Sequence, residues 1–95
     1  MKILVILGPN LNLLGDREQG VYGTLSLDEI NEQLSSLAES LGVSCSFYQS
    51  NVEGELVNAI QKSRADKDGL LINTGGYTHT SVALRDALLA VGTPT

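Results

Sequence analysis

Two residues on one glycine-rich segment could together remove a proton from a substrate. The segment from Gly8 to Gly23 reads GPNLNLLGDREQGVYG, with Arg17 five residues before Tyr22. A phenol has an ordinary pKa of about 10, but a neighbouring guanidinium favours the phenolate and lowers that pKa. Tyr22 is therefore a candidate base and Arg17 its activator. The alternative is that Tyr22 packs a loop and Arg17 is a solvated surface charge, as isolated residues of these types often are.

A second polar segment, Asn73 to Thr80, reads NTGGYTHT and carries His79, the one histidine of the chain. A histidine at a helix start caps or packs more often than it catalyses, although the N–H groups there suit polar or anionic ligands. One histidine and one cysteine, Cys45, do not favour a metal site. No spacing indicates a Ser-His-carboxylate triad or a buried catalytic lysine, so proton abstraction is the favoured chemistry.

The charge balance disfavours several classes of partner. The formal net charge is -5 and no Lys/Arg cluster occurs, which argues against binding to nucleic acid or to an anionic membrane. Neither a P-loop nor a GxGxxG motif is present, so a nucleotide-binding module is only a third hypothesis. The apolar run after Met1 and Lys2 is too short for a signal-peptide core or a membrane span, so we expect a cytoplasmic protein.

Strand and helix patterns alternate along the whole chain. The predicted order is a strand from Ile3 to Leu7, a helix from Leu27 closed by Gly42, a strand from Val43 to Tyr48, a helix ending near Ala65, a strand from Gly69 to Asn73, and a helix from about Thr80 to Val91, closed by Gly92. Capping-box pairs Ser26 with Glu29 and Ser50 with Glu53 mark the first two helix starts. Right-handed crossovers turn this order into a doubly wound parallel sheet, for which we expect the strand order 2-1-3.

The third strand would be an open edge in that sheet. Natural proteins normally cover or charge an apolar edge, so a further element is expected to pair with it. The segment from Thr93 to Thr95 resembles a loop entering another strand. We therefore expect residues 1–95 to form a single domain that is incomplete at its C-terminal side.

Three blocks of the sequence resemble type II 3-dehydroquinate dehydratases, also called type II dehydroquinases. They are GPNLNLLGDREQGVYG from Gly8, QSNVEGELVNAI from Gln49, and INTGGYTHTSVALRDAL from Ile72. They occur in the family's order and cover nearly the whole chain. The resemblance implies a flavodoxin-like three-layer α/β sandwich and a dodecamer built of trimers. It also implies a hydro-lyase of the shikimate pathway that converts 3-dehydroquinate to 3-dehydroshikimate through an enolate, without a metal or organic cofactor.

The same resemblance implies a role for each catalytic candidate. Tyr22 resembles the base that removes the proton alpha to the ketone, and Arg17 resembles the lid arginine that lowers its pKa. Asn10 resembles the residue that orients a water molecule toward the enolate. Preorganised donors of this kind stabilise negative charge as it develops on oxygen.

Four further residues match positions that bind substrate in the family. By this resemblance Asn73 and His79 hydrogen-bond the hydroxyl groups of the substrate ring. Arg85 and Asp86 lie at a subunit interface, and Asp86 reaches into the neighbouring site.

The resemblance assigns the general acid to a histidine on a fourth strand, and no residue of this sequence matches that position. His79 is not a substitute, because it matches a substrate-binding position instead. We therefore expect dehydratase activity below detection from a chain of these 95 residues alone. The alternative is a noncatalytic assembly or interaction module with the same fold.

Overall fold

Strands and helices alternate in the computed structural model, which describes residues 1–14, 25–75 and 81–95. The elements are β1 (Lys2–Leu7), α1 (Leu27–Ser40), β2 (Ser44–Gln49), α2 (Glu53–Asp66), β3 (Gly69–Asn73) and α3 (Val82–Val91), with one short 3-10 turn at Leu11–Leu13. This order confirms the prediction from the sequence. None of the helices that these residues form is long and apolar enough to cross a membrane.

The three strands form a parallel sheet in the order β2-β1-β3, as predicted. Leu7 at the end of β1 pairs with Gln49 in β2 and with Asn73 in β3. All three strands therefore end at the same level. Ligands of open parallel sheets bind beyond this carboxyl edge, so the loops that follow the strands define the region where a site is expected.

The central strand β1 divides the core into two layers. Val5 and Leu7 pack with Leu27 of α1 on one face of the sheet. Ile6 points to the other face, where it joins a cluster built mainly from α2 and α3, whose buried members also include Leu56, Ile60, Leu70, Leu84 and Ala87. Successive side chains of a strand point to opposite faces, so one apolar run supplies both layers. The result is the three-layer α/β sandwich expected for a flavodoxin-like fold.

The capping box predicted for α1 is present. The Ser26 hydroxyl accepts the Glu29 backbone N–H at 3.2 Å, and the Glu29 carboxylate accepts the Ser26 backbone N–H at 3.4 Å. Gly42 follows the helix with a φ of 71°, a left-handed conformation that glycine adopts without steric cost. Both predicted ends of this helix are confirmed.

The second predicted capping box is wrong. Helix α2 begins at Glu53 after Val52, and no side chain caps its first turn. Ser50 instead extends the strand ladder, because its backbone N–H donates to the Leu7 carbonyl at 3.0 Å. Its hydroxyl accepts the Val52 N–H at 2.9 Å and donates to Glu55 at 3.0 Å. Ser50 therefore orders the turn that precedes the helix.

Helix α3 begins at Val82 rather than near Thr80, which lies outside the described residues. Ser81 is its N-cap residue, and the Ser81 hydroxyl accepts the Leu84 backbone N–H at 3.0 Å. Gly92 closes the helix with a φ of 68°, as predicted. A serine hydroxyl satisfies one of the free N–H groups of the first turn, which fixes where the helix starts.

The outer edge of β3 is partly covered by the end of the chain. The Leu70 backbone N–H donates to the Pro94 carbonyl at 2.8 Å. The Leu71 side chain on the same strand is 53% exposed. Among the described residues no strand pairs with this edge, as the 2-1-3 order predicted, and Pro94 supplies its hydrogen bond to Leu70.

We predict that Ser26→Ala lowers the free energy of unfolding by about 1 kcal/mol, because it removes the hydroxyl that accepts the Glu29 N–H. Urea denaturation of the purified protein measures this change. The matched control is Ser35→Ala on the exposed middle of α1, where alanine is the better helix former and stability should hold or rise. Equal losses in the two variants would contradict a specific role for the cap.

Candidate functional site

The loops after β1 and β3 are in direct contact at the carboxyl edge of the sheet. The Gly8 backbone N–H donates to the Asn73 carbonyl at 2.8 Å. A Cβ atom on Gly8 would collide with the Thr74 carbonyl oxygen, and one on Gly75 would lie 2.8 Å from the Pro9 carbonyl oxygen. Only glycine allows the two backbones to come this close. The glycines of these two loops thus have a steric role that their sequence motifs do not reveal.

Asn10 occupies a strained position in the turn after β1. Its φ of 66° is the one left-handed value of a non-glycine residue among residues 1–14, 25–75 and 81–95. Asparagine tolerates this region better than most residues because its short polar side chain can bond locally. The Asn10 carbonyl accepts the Leu13 N–H at 3.0 Å, which starts the 3-10 turn. The exposed side chain of Asn10 is thereby held at the carboxyl edge.

Asn73 and Arg85, two residues predicted to bind substrate, line the same open cleft. Asn73 ends β3, and its side-chain oxygen accepts the Gly75 backbone N–H at 3.0 Å. This bond orients the carboxamide so that its NH2 group can donate to another molecule. The cleft has a volume of about 510 Å³, and its lining residues are Ile72, Asn73, Thr74, Ser81, Leu84, Arg85 and Leu88.

Asp86 does not line this cleft. It lies on an exposed part of α3, and the side chains of Val82 and Leu89 on that helix are 77% and 72% exposed. Residues four and three positions apart on a helix share one face. Val82, Asp86 and Leu89 therefore form an exposed, largely apolar face, which we call the α3 face.

Sequence reasoning missed a network of amide side chains after β2. The Gln49 side-chain NH2 donates to the Gly8 carbonyl at 3.1 Å, and Asn51 accepts the Asn10 backbone N–H at 2.9 Å. The signal was present, because Gln49 and Asn51 follow a predicted strand within the QSN block. The sequence prediction placed the site on the loops after the first and third strands, whereas all three strands end at one level.

The remaining predicted site residues, Arg17, Tyr22 and His79, lie outside the described residues. Within residues 1–14, 25–75 and 81–95, no group of three or more His, Cys, Asp or Glu side chains could hold a metal ion. The described part of the site therefore offers amide groups, one guanidinium and backbone polar atoms. Such groups suit a small ligand with hydroxyl, carbonyl or carboxylate oxygens.

Residues 1–95 match the family model described as Dehydroquinase class II. A 3-dehydroquinate dehydratase of Nitratiruptor sp. is 54% identical over 95 residues, which is 100% of this chain and 61% of the relative. A 3-dehydroquinate dehydratase of Acaryochloris marina is 61% identical over 92 residues, covering 97% of this chain and 62% of the relative.

The fold is also that of a solved relative. The crystal structure of a type II dehydroquinase from Butyrivibrio crossotus superposes with a TM-score of 0.97 and 43% sequence identity. The match covers 100% of this chain and 66% of that protein. The chain thus spans a little under two thirds of the length of the relatives that it matches.

We predict that Gly8→Ala lowers the free energy of unfolding by about 1–3 kcal/mol, because the added methyl group overpacks the contact with Thr74. The matched control is Gly54→Ala in α2, where a Cβ atom meets nothing within 4 Å. That change should stabilise the helix by up to about 1 kcal/mol. Urea denaturation compares the two variants, and a neutral Gly8→Ala would refute the close approach of the loops.

Proposed function

Because the chain belongs to the class II dehydroquinase family, we propose that it takes part in the dehydration of 3-dehydroquinate to 3-dehydroshikimate and water in the shikimate pathway. The observation that carries this proposal is the contact between Gly8 and Asn73, at 2.8 Å. Gly8, two residues before Asn10, also lies against Thr74, which lines the cleft together with Asn73 and Arg85. The family residues on two separate loops can thus act on one ligand.

The proposed reaction begins with proton abstraction. The phenolate of Tyr22 takes the proton alpha to the ketone, and the electron pair of the broken C–H bond moves onto the carbonyl oxygen to give an enolate. Arg17 favours the phenolate by its positive charge. The enolate then expels the hydroxyl group, which leaves as water after it gains a proton from a general acid. None of the 95 residues is assigned as that acid.

Asn10 would stabilise the enolate through an oriented water molecule. A donor network helps most when it is preorganised and does not have to reorient as charge develops. The backbone of Asn10 is held by bonds to Asn51 and Leu13, at 2.9 and 3.0 Å. A side chain on so constrained a turn can hold a water molecule in one place.

Asn73, His79 and Arg85 would bind the substrate. The Asn73 oxygen already accepts the Gly75 N–H, so Asn73 would act as a donor, through its NH2 group, to a hydroxyl oxygen of the ring. Arg85 shares the cleft with it and adds a fixed positive charge. His79 would supply a second hydrogen bond to the ring.

We also propose the trimer-based dodecamer of the family. The α3 face supports an interface there, since Val82 and Leu89 are 77% and 72% exposed beside Asp86. An apolar helix face that flanks a carboxylate is typical of a surface that another subunit covers. Arg85 and Asp86 would meet the neighbouring subunit, and Asp86 would extend into its site. The cytoplasmic location stays a prediction.

A noncatalytic assembly module is the second candidate. It is favoured by the exposed α3 face, since Val82 and Leu89 leave an apolar surface that another subunit could cover. Such a module would keep the fold and the α3 face but would not turn over substrate. Mass measurement of the assembly and isothermal calorimetry with 3-dehydroquinate separate the two: assembly without binding favours the module, and turnover excludes it.

We predict that Tyr22→Phe lowers kcat by about 100-fold or more, because it removes only the hydroxyl that acts as the base. The rise in ultraviolet absorbance from 3-dehydroshikimate measures turnover by the purified natural protein, whose intact mass is recorded alongside. The matched control is Tyr48→Phe, which removes a hydroxyl that donates to Glu55 at 3.4 Å on the β2 edge. Retained activity in Tyr22→Phe would mean that the base is misassigned.

A chimera tests the contribution of these 95 residues independently of their context. They would replace the matching residues of the Nitratiruptor relative, of which they cover 61%. We expect turnover in the chimera and its loss on Tyr22→Phe. A chimera that folds and assembles but is inactive would favour the noncatalytic module.

We predict that the purified protein has the mass of a dodecamer by light scattering and that Leu89→Glu dissociates it. A carboxylate buried in an apolar interface loses its hydration without gaining a partner. The matched control is Leu37→Glu on α1, a leucine that is 55% exposed on the other face of the sheet. A dodecamer that survives Leu89→Glu would exclude the α3 face as an interface.

A further inference from the structure

We infer that Gln49 and Asn51 are positioning residues, which fix the direction of the Asn10 side chain. Together they hold the turn that carries Asn10, and we call this pair of amide side chains the clamp. This inference rests on the proposed role of Asn10 in orienting a water molecule. It assigns a function to the end of β2 and the turn that follows it, whose residues have no part in the proposed chemistry. The hydrogen bonds that these two side chains make support the inference.

The first contact holds the strained residue itself. The Asn51 side-chain oxygen accepts the backbone N–H of Asn10 at 2.9 Å. Asn10 has a φ of 66°, and such a conformation persists where surrounding contacts determine it. Asn51 comes from a different loop, 41 residues away in sequence. The contact therefore ties the Asn10 turn to the end of β2.

The chemistry of the donors fixes how both amides are oriented. A backbone N–H can only donate, so the Asn51 atom that faces Asn10 must be the oxygen Oδ1. The Gln49 atom that lies 3.3 Å from that oxygen must then be the nitrogen Nε2. The same nitrogen donates to the Gly8 carbonyl at 3.1 Å. Each amide is thus locked in one orientation by the other.

Gln49 also spans both sides of the turn. Its Nε2 lies 3.5 Å from the Asn12 side-chain oxygen, in addition to its contacts with Gly8 and Asn51. Because an NH2 group has two hydrogens, the three acceptors share them, and the shortest contact, to Gly8, dominates. Gln49 therefore holds the entry of the turn while Asn51 holds its centre.

The clamp is anchored to the backbone hydrogen bonds between β1 and β2. Gln49 is the last residue of β2 and pairs with Leu7 of β1. Ser50 between the two clamp residues is only 7% exposed, and its N–H donates to the Leu7 carbonyl at 3.0 Å. Its hydroxyl accepts the Val52 N–H at 2.9 Å. Asn51 thus projects from a turn that the β1–β2 ladder already fixes.

Positioning through Asn10 should affect the chemical step more than substrate binding. A misdirected carboxamide orients its water poorly, and the loss is felt only when negative charge develops on the substrate oxygen. We therefore expect a lower kcat and a nearly constant KM. A merely structural role would lower the amount of folded protein without changing the kcat of the folded fraction. The two roles therefore give different kinetics.

The principal test is Gln49→Glu in the purified natural protein. The carboxylate keeps the shape of the side chain but sets an oxygen against the oxygens of Gly8 and Asn51. We expect kcat to fall by about 10-fold, less than the 100-fold or more expected when a stabilising group is removed outright, with KM changed by less than about 2-fold. The matched control is Gln61→Glu on the exposed side of α2, which should retain wild-type kcat.

A double variant decides whether Gln49 acts through Asn10. Asn10→Gly removes the carboxamide and tolerates the left-handed φ. If Gln49 works only by positioning that carboxamide, Gln49→Glu should lower kcat by less than about 2-fold in the Asn10→Gly background. Independent losses that multiply would overturn the inference.

A second pair of variants uses the exposed clamp residue. Asn51→Ala removes the acceptor and should accelerate hydrogen exchange of the Asn10 amide by about 10-fold, since a net hydrogen bond contributes roughly a factor of this size. Asn51→Asp keeps an acceptor oxygen and should restore the slow exchange and part of the kcat. Failure of Asn51→Asp to restore either would contradict the clamp.

The exchange measurement separates failure of this inference from failure of the proposed function. If the wild-type protein forms no 3-dehydroshikimate, the proposed function fails, and with it the catalytic consequence of the clamp. Unchanged exchange in Asn51→Ala would instead refute the clamp itself, whatever the activity. Faster exchange with an unchanged kcat would show that the clamp holds a turn with no catalytic role.

Discussion

The close approach of the backbones at Gly8 and Thr74 is the constraint on which the candidate site depends. The Gly8 N–H donates to the Asn73 carbonyl at 2.8 Å, and the Thr74 backbone can lie against Gly8 only because Gly8 has no Cβ atom. This contact joins the turn that bears Asn10 to the end of β3.

The central strand makes that approach possible. One apolar run, ending at Leu7, contributes side chains to the cores on both faces of the sheet. The same strand pairs with β2 on one edge and with β3 on the other. Its register brings Gln49 and Asn73 level with Leu7. Each strand is then followed by a polar loop at the same level of the sheet. The site is therefore a consequence of register, and residues on three loops share it although they are far apart in sequence.

The wrong prediction at Ser50 and the missed contacts of Gln49 and Asn51 have one physical cause. Ser50 occupies a sequence position typical of a capping residue, but its backbone N–H donates to the Leu7 carbonyl and holds it in the strand ladder. From the sequence, Gln49 is an ordinary polar residue at the end of an edge strand, but its NH2 group donates to the Gly8 carbonyl. In both cases a partner about 40 residues away decides the outcome, and local patterns carry no information about that partner.

The sequence alone determined the strands, most helix ends and the 2-1-3 order, because periodicity, capping residues and the handedness of crossovers are local or general rules. Its motifs also indicated Asn10, Asn73 and Arg85 as site residues. Only the tertiary structure brought Asn73 and Arg85 to one cleft and showed which atom of Asn73 is already bonded. It alone revealed the amide clamp, since hydrogen bonds between side chains of different loops depend on distances that no sequence pattern encodes.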